Sequence, residues 1–180
     1  MSDLIADDDV ALLTSWESRM CTWAGKQRFA DAQRLTRDPG RGPPHVDADM
    51  DIRGAHCEYA ASLILNRYWR PSVGEINNPD VGGIVEVRST IRETGRLIVK
   101  PDDEDDAPFV LIVANMERLR FRFAGWMFGR DAKAWPLLTE FGDPAHFVEQ
   151  SALMSRSELL AWLREAEMEE MMQFARGTLK

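Results

Sequence analysis

The spacing of apolar residues changes near Pro71, and that change limits the fold more than any other feature. Before Pro71 apolar residues recur every three or four positions; after it, β-branched residues and alternation take over. Val10, Leu13, Trp16, Met20 and Trp23 follow Asp7, Asp8 and Asp9, any of which can cap a helix, and they predict one buried helix face that runs on through Phe29 and Leu35. The run DPGRGPP, Asp38 to Pro44, must end that helix, because its prolines remove donors and its glycines favour turns. A second helix is predicted from about Asp51, with Ile52, Ala55, Tyr59, Leu63 and Leu65 on it, ending before Pro71.

Beyond Pro71, turns are expected at Gly74, Asn77, Asn78, Pro79, Gly82 and Gly83, and a strand at Ile84, Val85, Val87 and Thr90. Three further strands are predicted at Arg96 to Lys100, Phe109 to Ala114 and Leu119 to Trp126, with Glu93-Thr94-Gly95 compatible with a hairpin. The five consecutive acids from Asp102 to Asp106 read as a solvated loop. Arg130 to Pro144 reads as loop with a short helix, and His146 to Val148 as a last short strand. Ser155 and Glu158 form a capping box for a final helix carrying Leu159, Leu160, Trp162, Leu163, Met171 and Phe174, with Gly177 as its stop. This order predicts an α+β or mixed-sheet α/β domain: a helical segment over 1–37, a linker over 38–50, and a domain over 51–180 that includes the C-terminal helix.

Composition narrows the function classes. A chain of 180 residues with 44% hydrophobic content can bury a core, which excludes disorder throughout. The net charge of -8 argues against coating nucleic acid or an anionic membrane through bulk charge. Cys21 and Cys57 are too few for a disulfide framework or a Cys-rich zinc site, so a reducing compartment is expected. The acidic start lacks a signal peptide's features, and no apolar stretch nears the roughly 20 residues that cross a bilayer, so the expectation is a cytoplasmic protein without a membrane partner.

The chemistry concentrates in the run from Asn78 to Arg88. Asp80 stands at a turn, and strand alternation puts Glu86 and Arg88 on one face. The two carboxylates converge if Gly82-Gly83 bends the chain back, and two hard oxygen ligands suit Mg²⁺, which keeps several waters. A plainer reading stands beside this one: Asp80 shapes the turn, Glu86 and Arg88 form a solvent-facing pair, and Glu58 caps or pairs on a helix. His45, His56 and His146 show no ligand spacing, Cys57 and His56 point apart as helix neighbours, and neither a P-loop nor a Rossmann fingerprint occurs. Outside the run 102–106, residues 84 to 135 are net basic. Arg92, Arg96, Lys100, Arg130 and Lys133 are therefore candidates to track a phosphate backbone, while Arg118, Arg120 and Arg122 either join them or line an outer strand face. Trp162, Met168, Met171 and Met172 on the last helix are a candidate homodimer surface.

Pro79, Asp80, Glu86 and Arg88, in that order, resemble the motif of the PD-(D/E)XK nuclease superfamily, with Glu58 matching the glutamate that many members carry on the preceding helix. The segments Gly54 to Glu58, Arg96 to Pro101 and Gly125 to Ala132 look like those of small phage and prophage proteins of this type; the resemblance spans about residues 50 to 155. It implies a restriction-endonuclease-like central mixed β-sheet flanked by helices. It further implies a DNA endonuclease of a bacterial host cell, with Mg²⁺ or Mn²⁺ held by Asp80, Glu86 and Glu58 and by the Val87 carbonyl. Arg88 stands where the family has lysine; its guanidinium cannot act as a base but can grip the scissile phosphate, and Lys100 is the candidate to reach the site in compensation. Two other readings remain on the same residues: a nuclease fold that binds DNA without cutting it, and an acidic inhibitor of a basic host or phage protein built on Asp102 to Asp106 and the last helix.

Overall fold

The computed structural model describes residues 8–35, 47–71, 79–140 and 142–178. Asp7, the run Asp38 to Pro44, His45, Gly74, Asn77 and Asn78 lie outside the described residues.

Thr14 opens the first helix, α1 (Ser15–Leu35), rather than the aspartates before it. Its N–H donates to Glu17 Oε2 at 2.7 Å and the Glu17 N–H donates to Thr14 Oγ1 at 3.3 Å, a reciprocal capping box. Val10, expected on the helix, instead belongs to a strand, β1 (Val10–Leu12), because the edge of a later strand offers it main-chain partners. The buried face of α1 also differs from the expected one. Cys21, Ala24 and Gly25 are buried, whereas Trp16 and Trp23 are 68% and 58% exposed. The cause is the second helix, α2 (Ala48–Leu65), which crosses so closely that a Cβ on Gly25 would lie 2.6 Å from the Ile52 nitrogen. Only small side chains fit that crossing, so the tryptophans turn outward.

Asp47 caps α2 by accepting the Asp49 N–H at 2.9 Å. Asn66, at φ 51°, ends it in the left-handed region, with its N–H and that of Arg67 donating to the Leu63 and Ser62 carbonyls. Ala55, Ala60 and Ala61 are fully buried between α1 and the main sheet.

That sheet is mixed. Strands β2 (Glu86–Thr90), β4 (Pro108–Asn115) and β5 (Arg120–Phe128) join β1 in the order β1-β5-β4-β2, with β2 parallel to β4 and the other pairs antiparallel. A second, antiparallel sheet has the order β3-β7-β6, from β3 (Leu97–Val99), β6 (Leu137–Leu138) and β7 (Ala145–Val148). The hairpin compatible with Glu93-Thr94-Gly95 does not form, because β2 and β3 enter different sheets. Leu97 and Val99 alternate inward and pack with Phe109 and Leu111 on one face of β4, while Val110 and Ile112 face the α1–α2 core on the other.

A short helix, α3 (Gly129–Ala132), follows β5, and the last helix, α4 (Arg156–Thr178), opens on the expected Ser155–Glu158 box. Leu159 and Leu163 enter the first core, and Trp162 packs on Trp126 and Phe128. Gly177, expected to stop α4, lies within it. The chain is thus of mixed α and β class, and no helix among the described residues is long and apolar enough to cross a membrane.

Candidate functional site

The glycine pair bends the chain as its sequence suggested. Gly82 and Gly83 take φ of 63° and 72°, a conformation that costs L side chains heavily, and Val81 and Val85 pair back to back through N–H···O bonds of 3.1 and 3.0 Å. Asp80 precedes this tight hairpin and Glu86 follows it, so they are neighbours across it. Asp80 Oδ2 accepts the Val87 N–H at 2.8 Å, which fixes the carboxylate at the head of β2.

Glu58 approaches from α2. Arg28, one of the residues on the inner face of α1, donates to both Glu58 oxygens, at 2.6 and 2.5 Å, and the Trp69 indole N–H donates to Oε2 at 3.1 Å. The close crossing at Gly25 brings the guanidinium and the carboxylate together from 30 residues apart. Burial, with the negative charges of Glu58 and Glu86, pushes the Asp80 carboxyl well above the usual carboxylate range. Burial also raises Glu86; the Arg88 cation opposes this, while Asp103 and Glu58 add to it. Asp80 and Glu86 therefore stand in partly dry surroundings, where burial first and neighbouring negative charge second oppose their ionisation.

Arg88 lies on the same face as Glu86, as strand alternation required, 3.6 Å from its carboxylate. Its other terminal nitrogen holds Asp103 at 2.9 Å, and its guanidinium lies 4.8 Å from the Phe109 ring centre. Lys100 stands beside this group through its backbone, donating its N–H to Asp103 at 2.8 Å, but its amine is exposed and meets Asp143 at 3.5 Å. The side chain expected to reach the carboxylates thus points away from them.

The acidic run is more than a solvated loop. Asp103 takes Arg88, Asp105 takes Lys133 at 2.6 Å, and Asp106 takes Arg130. Lys133 also donates to the Asp103 carbonyl, and Arg130 lies over Phe128. Two of the five cations expected to track a phosphate backbone are therefore paired with carboxylates of this loop, a third, Arg96, pairs with Glu149 at 2.8 Å, and a fourth, Lys100, with Asp143. The fifth, Arg92, stands in the exposed turn after β2. Of the alternative trio, Arg122 pairs with Glu93 at 3.3 Å.

Sequence reasoning missed Arg28, Trp69 and Asp103 as parts of this site. The spacing 21, 24, 25, 28 would have put Arg28 with the small residues of α1; nothing in the sequence joins Asp103 to Arg88. His56 is buried, donates from Nδ1 to the Ile52 carbonyl at 2.8 Å and leaves Nε2 to Ser18 at 3.0 Å, and His146 Nδ1 donates to Trp135 at 2.6 Å. Burial pushes the Cys21 and Cys57 thiols up to about 12, which leaves no thiolate for nucleophilic work.

Among the described residues no group of three or more histidine, cysteine, aspartate or glutamate side chains is arranged to hold a metal ion. Asp80 and Glu86 nevertheless fit an ion such as Mg²⁺ that needs only one or two carboxylates and keeps its waters, because a cation there favours the ionised form that burial, and then the neighbouring acids, oppose in both. Glu58 is engaged by Arg28 and Trp69 and acts in this arrangement as a fixed charge behind Asp80. Compared with protein-family models, with curated proteins and with solved structures, the chain has no match in any of the three.

Proposed function

We propose that this chain is a metal-dependent DNA endonuclease of restriction-endonuclease-like fold, related to the PD-(D/E)XK nucleases of phages, with Asp80 and Glu86 holding Mg²⁺ or Mn²⁺. The observation that carries this reading is the pairing of Val81 with Val85 across the Gly82-Gly83 turn, which brings Asp80 to the head of the strand that carries Glu86 and Arg88 in a mixed sheet. Bound there, the metal supplies charge neutralisation at the phosphodiester and an activated water. The chain's own residues supply the rest. Arg28 anchors Glu58, the Val87 N–H orients Asp80, and Arg88 offers a planar fork to a phosphate oxygen once that oxygen replaces Asp103.

A second reading, a DNA-binding domain of the same fold that does not cut, is favoured by one observation: among the described residues no lysine amine pairs with Asp80 or Glu86, since Arg88 occupies the strand position and Lys100 pairs with Asp143. Incubation with plasmid, single-stranded and branched DNA in Mg²⁺ or Mn²⁺, beside Asp80→Ala and Glu86→Ala, separates the two. The endonuclease gives metal-dependent products that fall at least about 100-fold in both variants. Shifted DNA on a native gel without products supports the binding domain. Neither products nor a shift ends both readings and turns attention to the acidic surface as an inhibitor of a basic protein.

A further inference from the structure

Two exposed apolar surfaces lie side by side on this molecule. One is a groove of about 570 Å³ between α1, α2 and the segment after α2, whose walls include Met20, Trp23, Tyr59, Leu63, Arg67 and Trp69. Trp16, one turn before Met20 on α1, is 68% exposed. The other is the second half of α4. A helix of this length spans about 34 Å, and its packing residues, Leu159 and Leu163, fall in the first part; beyond them Met168, Met171 and Met172 are 51%, 63% and 51% exposed at helical spacing.

We infer that these surfaces are partners in a dimer: the methionine stripe of α4 in one copy lies in the α1–α2 groove of a second copy, and the reverse. Methionine on indole and phenol rings is a favourable pairing, because the flexible thioether adapts to an irregular aromatic wall. The charges match as well. Exposed Glu165 and Glu169 flank the stripe, while exposed Arg19 and Lys26 flank Trp16 and Trp23 on α1. Glu167 of α4 pairs at 2.9 Å with Arg67 on the groove wall. That same ion pair sets groove and stripe next to each other, the arrangement a two-fold axis needs for each to cover the other. This interface does not depend on the endonuclease reading.

Sedimentation equilibrium of the full chain tests the proposal. Wild type is expected to dimerise, more weakly as salt rises. Met171→Asp on the helix and Trp23→Asp in the groove are each expected to weaken the dimer at least about tenfold, and circular dichroism and thermal melts of each variant check that it folds. Mixing the two variants is expected to restore part of the association, because one of the two contacts is then intact. Glu169→Lys is expected to weaken it and Lys26→Glu on the same chain to recover it. A monomeric wild type, a dimer indifferent to either aspartate, or a mixture that associates no better than its components would overturn the proposal. So would a monomer whose Trp23→Asp variant loses only single-stranded DNA binding, which would give the groove to unpaired bases.

Discussion

Two groups of carboxylates in this protein carry the same chemistry and behave in opposite ways. Glu58, Asp80 and Glu86 are drawn into one partly dry space, where Asp80 and Glu86 are pushed upward by burial and by their acidic neighbours. Asp103, Asp105 and Asp106 lie on a loop between β3 and β4 and pair with Arg88, Lys133 and Arg130. In water such pairs contribute little to stability. In the first group burial opposes the ionisation of Asp80 and Glu86, which a cation would favour, and the second group pairs with cations that a phosphate would otherwise meet. Arg88 belongs to both, with Glu86 on one side and Asp103 on the other.

The largest effect is expected where the buried group is deprived of its counter-charge. Arg28→Ala leaves Glu58, whose side chain is 8% exposed, without its guanidinium, and should cost about 3–5 kcal/mol, or about 10 °C of melting temperature or more. Adding Glu58→Gln should recover part of that loss in a double-mutant cycle. If Arg28→Ala melts like wild type, Glu58 does not depend on its partner and the site is wetter than its geometry indicates.

A smaller effect of opposite sign is expected from Asp80→Asn. The folded Asp80 carboxyl titrates above its unfolded value. Its contribution therefore favours folding fully below the unfolded carboxylate range and is lost as pH rises through the folded value. Above the unfolded carboxylate range the buried acid is a penalty, and the amide, which still accepts the Val87 N–H, removes it. Asp80→Asn should raise the melting temperature by a few degrees at pH 7, with the gain shrinking towards pH 4. Mg²⁺ should stabilise wild type and not this variant. A gain that stays constant with pH would show that charge repulsion is not its source.

On the acidic loop, the combined change Asp103→Asn, Asp105→Asn and Asp106→Asn should alter stability by about 1 kcal/mol or less. It should strengthen DNA binding several-fold at low salt and steepen its salt dependence, because Arg88, Arg130 and Lys133 are uncovered. Unchanged binding would mean these cations do not meet DNA. The smallest effect is expected at Asp143→Asn, which removes an exposed partner of Lys100 and should change stability by no more than about 0.5 kcal/mol in a thermal melt.

Much of the site was legible locally. The Gly82-Gly83 turn, the shared face of Glu86 and Arg88, and the Ser155 capping box each depend on residues within a few positions of one another, where backbone preference and side-chain alternation decide. The failures are equally specific. Val10 was placed on a helix because its spacing matched, but β5 offered it a pairing edge. The tryptophans of α1 were placed inside because they are large and apolar, but the α1–α2 crossing admits only cysteine, alanine and glycine.

From the sequence alone came the mixed class, the helices and most strands, and the pair Asp80 and Glu86 at a turn, because periodicity and turn chemistry act over short distances. Only the tertiary structure decided which face of α1 is buried, that Arg28 holds Glu58, that Asp103 holds Arg88, and that Lys100 turns to Asp143. Those choices join residues up to 43 positions apart. They follow from where packing leaves room and where charges find partners, and no local spacing encodes either.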